Sequence, residues 1–134
     1  MTEELRKLAE GYTAAWCSQD AASVAAFYSQ NGSLSINDGP PAVGRVAITD
    51  AAQGFMTAFP DLEVSMDELA MDGDTPVYRW TLKGTNSGPG GTGKPVHIHG
   101  FERWEMGADG LIAASVGSFD AAIYRRQLDE GVVE

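Results

Sequence analysis

Apolar residues near the N-terminus recur at helical spacing. Leu5, Leu8, Tyr12, Ala15 and Trp16 fall three or four positions apart with charges on the other side, which predicts an amphipathic helix over residues 3–16. Thr2 is placed to cap it, and acidic residues open its first turn. Val24, Phe27 and Tyr28 predict a second helix over 20–29, capped by Asp20 and closed by Asn31-Gly32. A short strand, Ser33–Asn37, then breaks at Asp38-Gly39-Pro40-Pro41. Ile48, Ala51, Ala52, Phe55 and Phe59 share one side of a third helix, Val46–Ala58, which Pro60 stops.

Beyond Pro60 the pattern turns to strands. Leu62–Met71 comes first, followed by an Asp-Gly-Asp turn, and Thr75–Thr85 carries Val77, Tyr78, Trp80 and Leu82. A glycine-rich loop, Asn86–Lys94, reads as mobile and suited to a cavity mouth; it lacks the strand–loop–helix setting of a phosphate loop. Pro95–Met106 and Leu111–Asp120 are the last two strands, joined by the hairpin signal Ala108-Asp109-Gly110-Leu111. A short helix, Ala121–Leu128, closes the chain. Strands gathered after helices predict an α+β domain over residues 1–134, with N-terminal helices on one face of a curved, mostly antiparallel sheet. Such a sheet encloses a cone-shaped pocket between its concave face and the helices.

Composition narrows the partners. The 134 residues suit one core, and a net charge of −10 disfavours phosphate backbones and anionic membranes. Nucleic acid and membrane are therefore not expected partners; a small-molecule ligand is. Cys17 stands alone, so no intramolecular disulfide forms, and nothing near it activates its thiol. The acidic start lacks the basic and apolar regions of a signal peptide, so cytoplasmic residence is the default expectation.

His97 and His99 on the fourth predicted strand and Asp120 at the end of the fifth are the leading candidates for chemistry. A two-residue Asp109-Gly110 turn sets His99 opposite Asp120, and a four-residue loop sets His97 there. Either register gathers imidazoles and carboxylate on one face, with Phe101, Ile112, Ala114, Val116 and Ser118. A carboxylate beside an imidazole in a part-dry pocket can move protons near neutral pH, so Asp120 is the expected acid or base and His99 or His97 its partner. A helix cap for Asp120, and surface or interface positions for the histidines, are the plainer alternatives. The other face of the same strand carries Val96, Ile98, Gly100, Glu102, Trp104 and Met106. If that face lines the pocket, Glu102 becomes the better catalytic carboxylate; otherwise it pairs with an arginine such as Arg79 or Arg103. His97, His99 and Asp120 also form a two-histidine, one-carboxylate set, but three ligands at this spacing are too few to expect a metal. Tyr12, Trp16, Phe59, Trp80, Phe101 and Glu102 are candidate ligand-binding walls, and plain core packing is the simpler reading of each aromatic.

Several short motifs together carry a family resemblance: Phe59-Pro60-Asp61, Gly84-Thr85, Thr92-Gly93-Lys94-Pro95-Val96, Asp109-Gly110-Leu111-Ile112, and Asp120 followed by Gln127-Leu128. Through them nearly the whole chain resembles the SnoaL-like polyketide cyclase group of the nuclear transport factor 2-like (cystatin-like α+β) superfamily. The resemblance implies a cone-shaped α+β fold, often a homodimer through the sheet. It also implies acid–base chemistry on a small carbonyl compound, an aldol-type cyclisation or isomerisation, with no metal or organic cofactor. Asp120 matches the family's proton-accepting aspartate, and His99 or His97 its strand histidine. Small residues at Ser115–Ser118 depart from the bulkier side chains of the family pattern. Within the superfamily, a non-catalytic binding or dimeric accessory domain and an epoxide hydrolase are the other functions implied.

Overall fold

The computed structural model describes residues 2–132; Met1, Val133 and Glu134, at the two ends of the predicted domain, lie outside it. Helix α1 (Glu3–Cys17) begins where Thr2 accepts from the Leu5 amide at 3.1 Å, and it buries Ala9, Tyr12, Ala15 and Trp16 along one stripe. Helix α2 is only Ala21–Ala25, and Asp20 makes no side-chain cap bond. Strand β1 (Tyr28–Ile36) follows at once. The expected helix over 20–29 is thus corrected. Its last residues are extended, because Tyr28 packs into the core from a strand. The Asn31-Gly32 pair read as a helix stop falls inside an irregularity of that strand. A two-residue strand, β2 (Ala42–Val43), follows, and then α3 (Arg45–Ala58). The remaining elements are β3 (Glu63–Asp72), β4 (Thr75–Thr85), β5 (Pro95–Met106), β6 (Ile112–Phe119) and α4 (Ala121–Glu130).

One six-stranded sheet runs in the order β2-β1-β6-β5-β4-β3. Only β1 and β6 are parallel; every other neighbour is antiparallel. Three register breaks, between Tyr28 and Ser33, Met66 and Glu68, and Glu105 and Met106, add local twist and bend the sheet. Helices α1 to α3 fill the bend. At its base Tyr78 stacks on Trp104 with centroids 5.0 Å apart, and Tyr12 meets Trp104 edge-on at 5.5 Å. The expected α+β cone is present. Among the described residues no helix is long and apolar enough to cross a membrane.

The glycine-rich segment does not behave as expected. Asn86 is buried, accepts from the Thr92 amide at 2.8 Å and reaches the Ala58 carbonyl at 3.3 Å; Gly88 donates to that same carbonyl. The loop is tied to the end of α3, and none of residues 86–94 lines the concave hollow.

Candidate functional site

Alternation along β5 decides which side chains can do chemistry. Val96, Ile98, Glu102 and Trp104 are buried on the concave side, so the odd-numbered residues face out. The concave side holds a hollow of about 540 Å³, its open mouth included. Trp16 from α1, Phe55 from α3, Tyr78, Trp80 and Leu82 from β4, and Phe119 from β6 form most of its apolar wall. Among the described residues Glu102 is the one acidic residue there, and no Lys, Arg or His lines it.

Glu102 is held by neutral donors. Its Oε1 accepts from Ser115 Oγ at 2.7 Å, Tyr12 Oη at 2.9 Å and Trp104 Nε1 at 3.0 Å. Its Oε2 has only a 3.3 Å contact with Tyr12 Oη, so this oxygen keeps room for a further partner. Tyr28 Oη lies 2.7 Å from Tyr12 Oη and extends the chain of hydroxyls behind the carboxyl. Burial pushes the Glu102 carboxyl above its ordinary value, and the Trp104, Ser115 and Tyr12 donors pull it partly back. Burial and the neighbouring Glu102 charge push the Tyr12 phenol far up, and the same causes raise Tyr28. Both phenols therefore stay protonated and available as donors. The arginines expected to pair with Glu102 lie on the outer face instead: Arg79 meets Glu68 at 3.4 Å and Arg103 meets Asp72 at 2.9 Å. The carboxylate–arginine–carboxylate set that epoxide hydrolysis needs is not assembled there.

The expected gathering of His97, His99 and Asp120 in the hollow is corrected. The predicted register is observed, with Phe101 opposite Ser118, but the histidine face is the convex one. The His99 side chain is 71% exposed; its Nδ1 lies 2.7 Å from Thr81 Oγ1, which in turn donates to Asp67 at 2.6 Å. His97 lies beside it on the same outer face, ring centroids 5.2 Å apart. Asp120 is exposed and caps α4, its Oδ1 accepting from the amides of Ala122 at 3.0 Å and Ile123 at 3.1 Å. A bulge at Ala113 also turns Ile112 into the core, away from the face it was expected to share. Among the described residues no three metal-ligating side chains come together.

Of the expected walls, Trp16, Trp80 and Glu102 line the hollow. Tyr12 lies behind Glu102 rather than in the wall. Phe59 is fully buried between Gly84 and Tyr124, and Phe101 sits on the outer face under Arg79, 5.8 Å away. Sequence reading missed Trp104 and Ser115 as partners of Glu102, and Tyr28 as the hydroxyl behind Tyr12. Two of them were within reach: Trp104 shares Glu102's face two residues on, and the hairpin register pairs Trp104 with Ser115. Tyr28 was hidden by its assignment to a helix.

Comparison with known proteins agrees with this architecture. A protein with a ketosteroid isomerase-like fold from Catenulispora acidiphila, solved with trimethylamine, superposes with a TM-score of 0.80 at 13% identity over 92% of each chain. A candidate SnoaL-like polyketide cyclase from Jannaschia gives 0.75 at 16% identity over 94% of each chain. SalBIII, an epoxide hydrolase/cyclase-like enzyme of pyran ring formation in salinomycin, gives 0.76 at 14% identity, covering 91% of this chain and 96% of its own. At such identities these likenesses speak for the fold. No curated protein matches the sequence. The family model of the SnoaL-like domain matches residues 9–115, and on that match the chain belongs to the SnoaL-like domain family.

Proposed function

We propose that this chain is an acid–base enzyme that moves a proton on a small carbonyl compound held in the concave hollow, with Glu102 as the transferring group. One observation carries the reading: a buried carboxyl without a cationic partner, with three donors at Oε1 and only a 3.3 Å contact from Tyr12 at Oε2, in the wall of an apolar hollow. A carboxyl fixed in this way is pre-oriented, and its raised affinity for a proton makes it a stronger base than a free carboxylate. In the carboxylate state Oε2 takes the proton from the carbon next to a carbonyl, and the electron pair of that C–H bond moves onto the carbonyl oxygen. The proton then returns from Oε2 to another carbon, which isomerises the molecule. Alternatively the enolate carbon attacks a second carbonyl of the same molecule, and the alkoxide so formed takes the proton, which closes a ring. Ring closure has the support of two structural neighbours, one a candidate SnoaL-like polyketide cyclase and the other cyclase-like.

Deuterium uptake tests the proposal. Ketones with acidic hydrogens beside the carbonyl are incubated with the protein in D2O and followed by mass spectrometry. Protein-dependent uptake is expected, and Glu102→Gln should lower it by about 100-fold or more. Equal uptake in the variant would remove Glu102 from the mechanism. Binding of the ketones without any uptake would leave the chain a ligand-binding domain.

We also propose that two copies pair through the convex face of the sheet. The family resemblance points to pairing through the sheet, and Val116 on that face exposes 49% of its surface.

A further inference from the structure

We infer that the indole N–H of Trp80 is a second anchoring group of the hollow, donating to an oxygen of the bound molecule, so that the site selects uncharged, flat, oxygen-bearing molecules over hydrocarbons and anions. The inference rests on the reading of the hollow as a ligand site. Among the described residues, Trp80 Nε1 is the one buried side-chain nitrogen or oxygen left without a hydrogen-bond partner. An indole nitrogen can only donate, so nothing but an acceptor satisfies it. Buried polar groups in folded proteins are nearly all paired, and an unpaired one is a place where something else belongs. Its counterpart Trp104 shows the usual outcome, donating to Glu102 at 3.0 Å.

The ring is also held where it is. Trp80 on β4 pairs with Gly100 on β5, and its six-membered ring lies directly over that glycine. A Cβ at position 100 would collide with Trp80 Cζ2 and stand 2.6 Å from the Ser118 carbonyl oxygen, so glycine makes room for the ring. On its other side Phe119 meets the ring edge-on at 6.1 Å. Both Trp80 and Phe119 belong to the wall that contains Glu102. The ring is thus kept in that wall by close packing, with its buried N–H unpaired. With no cationic side chain in the wall among the described residues, an anion finds no partner for its charge, whereas a carbonyl oxygen finds the indole and loses little by leaving water. During proton transfer the same N–H would meet the growing charge on that oxygen.

The test uses ¹⁵N-labelled full-length protein and two probes of one shape, 1-indanone and indane, in which a methylene replaces the carbonyl. Loss of one indole signal in Trp80→Phe assigns the Trp80 N–H. 1-Indanone is expected to shift that signal where indane does not, and to bind about tenfold more tightly. In Trp80→Phe the preference should vanish while the affinity for indane stays. Equal shifts by both probes, a preference that survives in the variant, or no preference in the wild type, binding of neither included, would overturn the inference. If Trp80→Phe does not fold, the wild-type comparison still decides, with the signal assigned by sequential resonance methods. Deuterium uptake by 1-indanone separates the two proposals. Uptake without an indole shift removes only the role of Trp80; a shift with no uptake removes only the proton transfer.

Discussion

Glu102 shows how a single buried residue ties stability to function. Its oxygen Oε1 collects three neutral donors and no cation, so solvation lost on burial is only partly replaced. The folded chain therefore holds this proton at pH values where the unfolded chain has already released it. The stabilisation from that difference is complete below the ordinary value of 4.5 and is lost as pH climbs through the raised folded value. Glu102→Gln keeps the shape and an acceptor oxygen but removes the ionisation. Its melting temperature relative to wild type should therefore be nearly constant below about pH 4.5, rise above it, and level off once pH has passed the raised folded value. Calorimetric scans of both proteins between about pH 4 and pH 9 check this. Parallel curves would mean that the carboxyl ionises in the fold as freely as in the open chain. A gain in stability at neutral pH, joined to a loss of deuterium uptake, is what a strained working residue leaves behind.

At the scale of elements, the strand patterns were legible and their orientation was not. The hairpin joining β5 and β6 pairs as expected from Gly100 to Glu105, but not at its tip. Met106 pairs with Ile112 and Gly107 donates to the Leu111 carbonyl, and the bulge at Ala113 restores the register that a two-residue Asp109-Gly110 turn implies. Period-two alternation then says which residues travel together, but β5 carries apolar residues on both faces. Phe101 on one and Val96, Ile98 and Trp104 on the other leave the choice to what packs above. The helices settle it, because Tyr12 of α1 reaches Glu102. Tyr28 failed for a different reason: three helically spaced apolar residues sit in a segment that is half helix and half strand. Of its two expected roles, the structure shows Asp120 in the plainer one, the helix cap. Beyond Phe119 strand β6 no longer flanks β5, and Gln127 of α4 takes its place by accepting from the His97 amide at 2.7 Å and donating to the His97 carbonyl at 3.0 Å. Asp120 caps the same helix and so helps aim that clamp. Asp120→Ala should cost about 1 kcal/mol in chemical denaturation while deuterium uptake stays within about twofold. An Asp120→Ala protein that folds normally and has lost all uptake would return this carboxylate to the mechanism.

For the whole molecule, the bulges that bend the sheet create two surfaces of opposite character. The concave side buries an apolar hollow with one carboxyl; the convex side presents the Asp67–Thr81–His99 chain, paired arginines and scattered apolar groups. A chain with a net charge of −10 repels its own copies, so two convex faces must meet where charge is locally balanced. The sheet meets this condition: Arg79 and Arg103 sit beside Glu68 and Asp72, and Val116 lies opposite Arg103 in the ladder, half exposed. A carboxylate at position 116 would add like charge and take away the apolar contact together. In sedimentation velocity the wild type should run as a dimer, and Val116→Asp should run as a monomer with an unchanged circular dichroism spectrum. Because Val116 points away from the hollow, the variant should keep the wild-type preference for 1-indanone over indane. A wild type that sediments as a monomer across micromolar concentrations would leave the convex face solvent-facing and place every residue of the proposed chemistry within one chain.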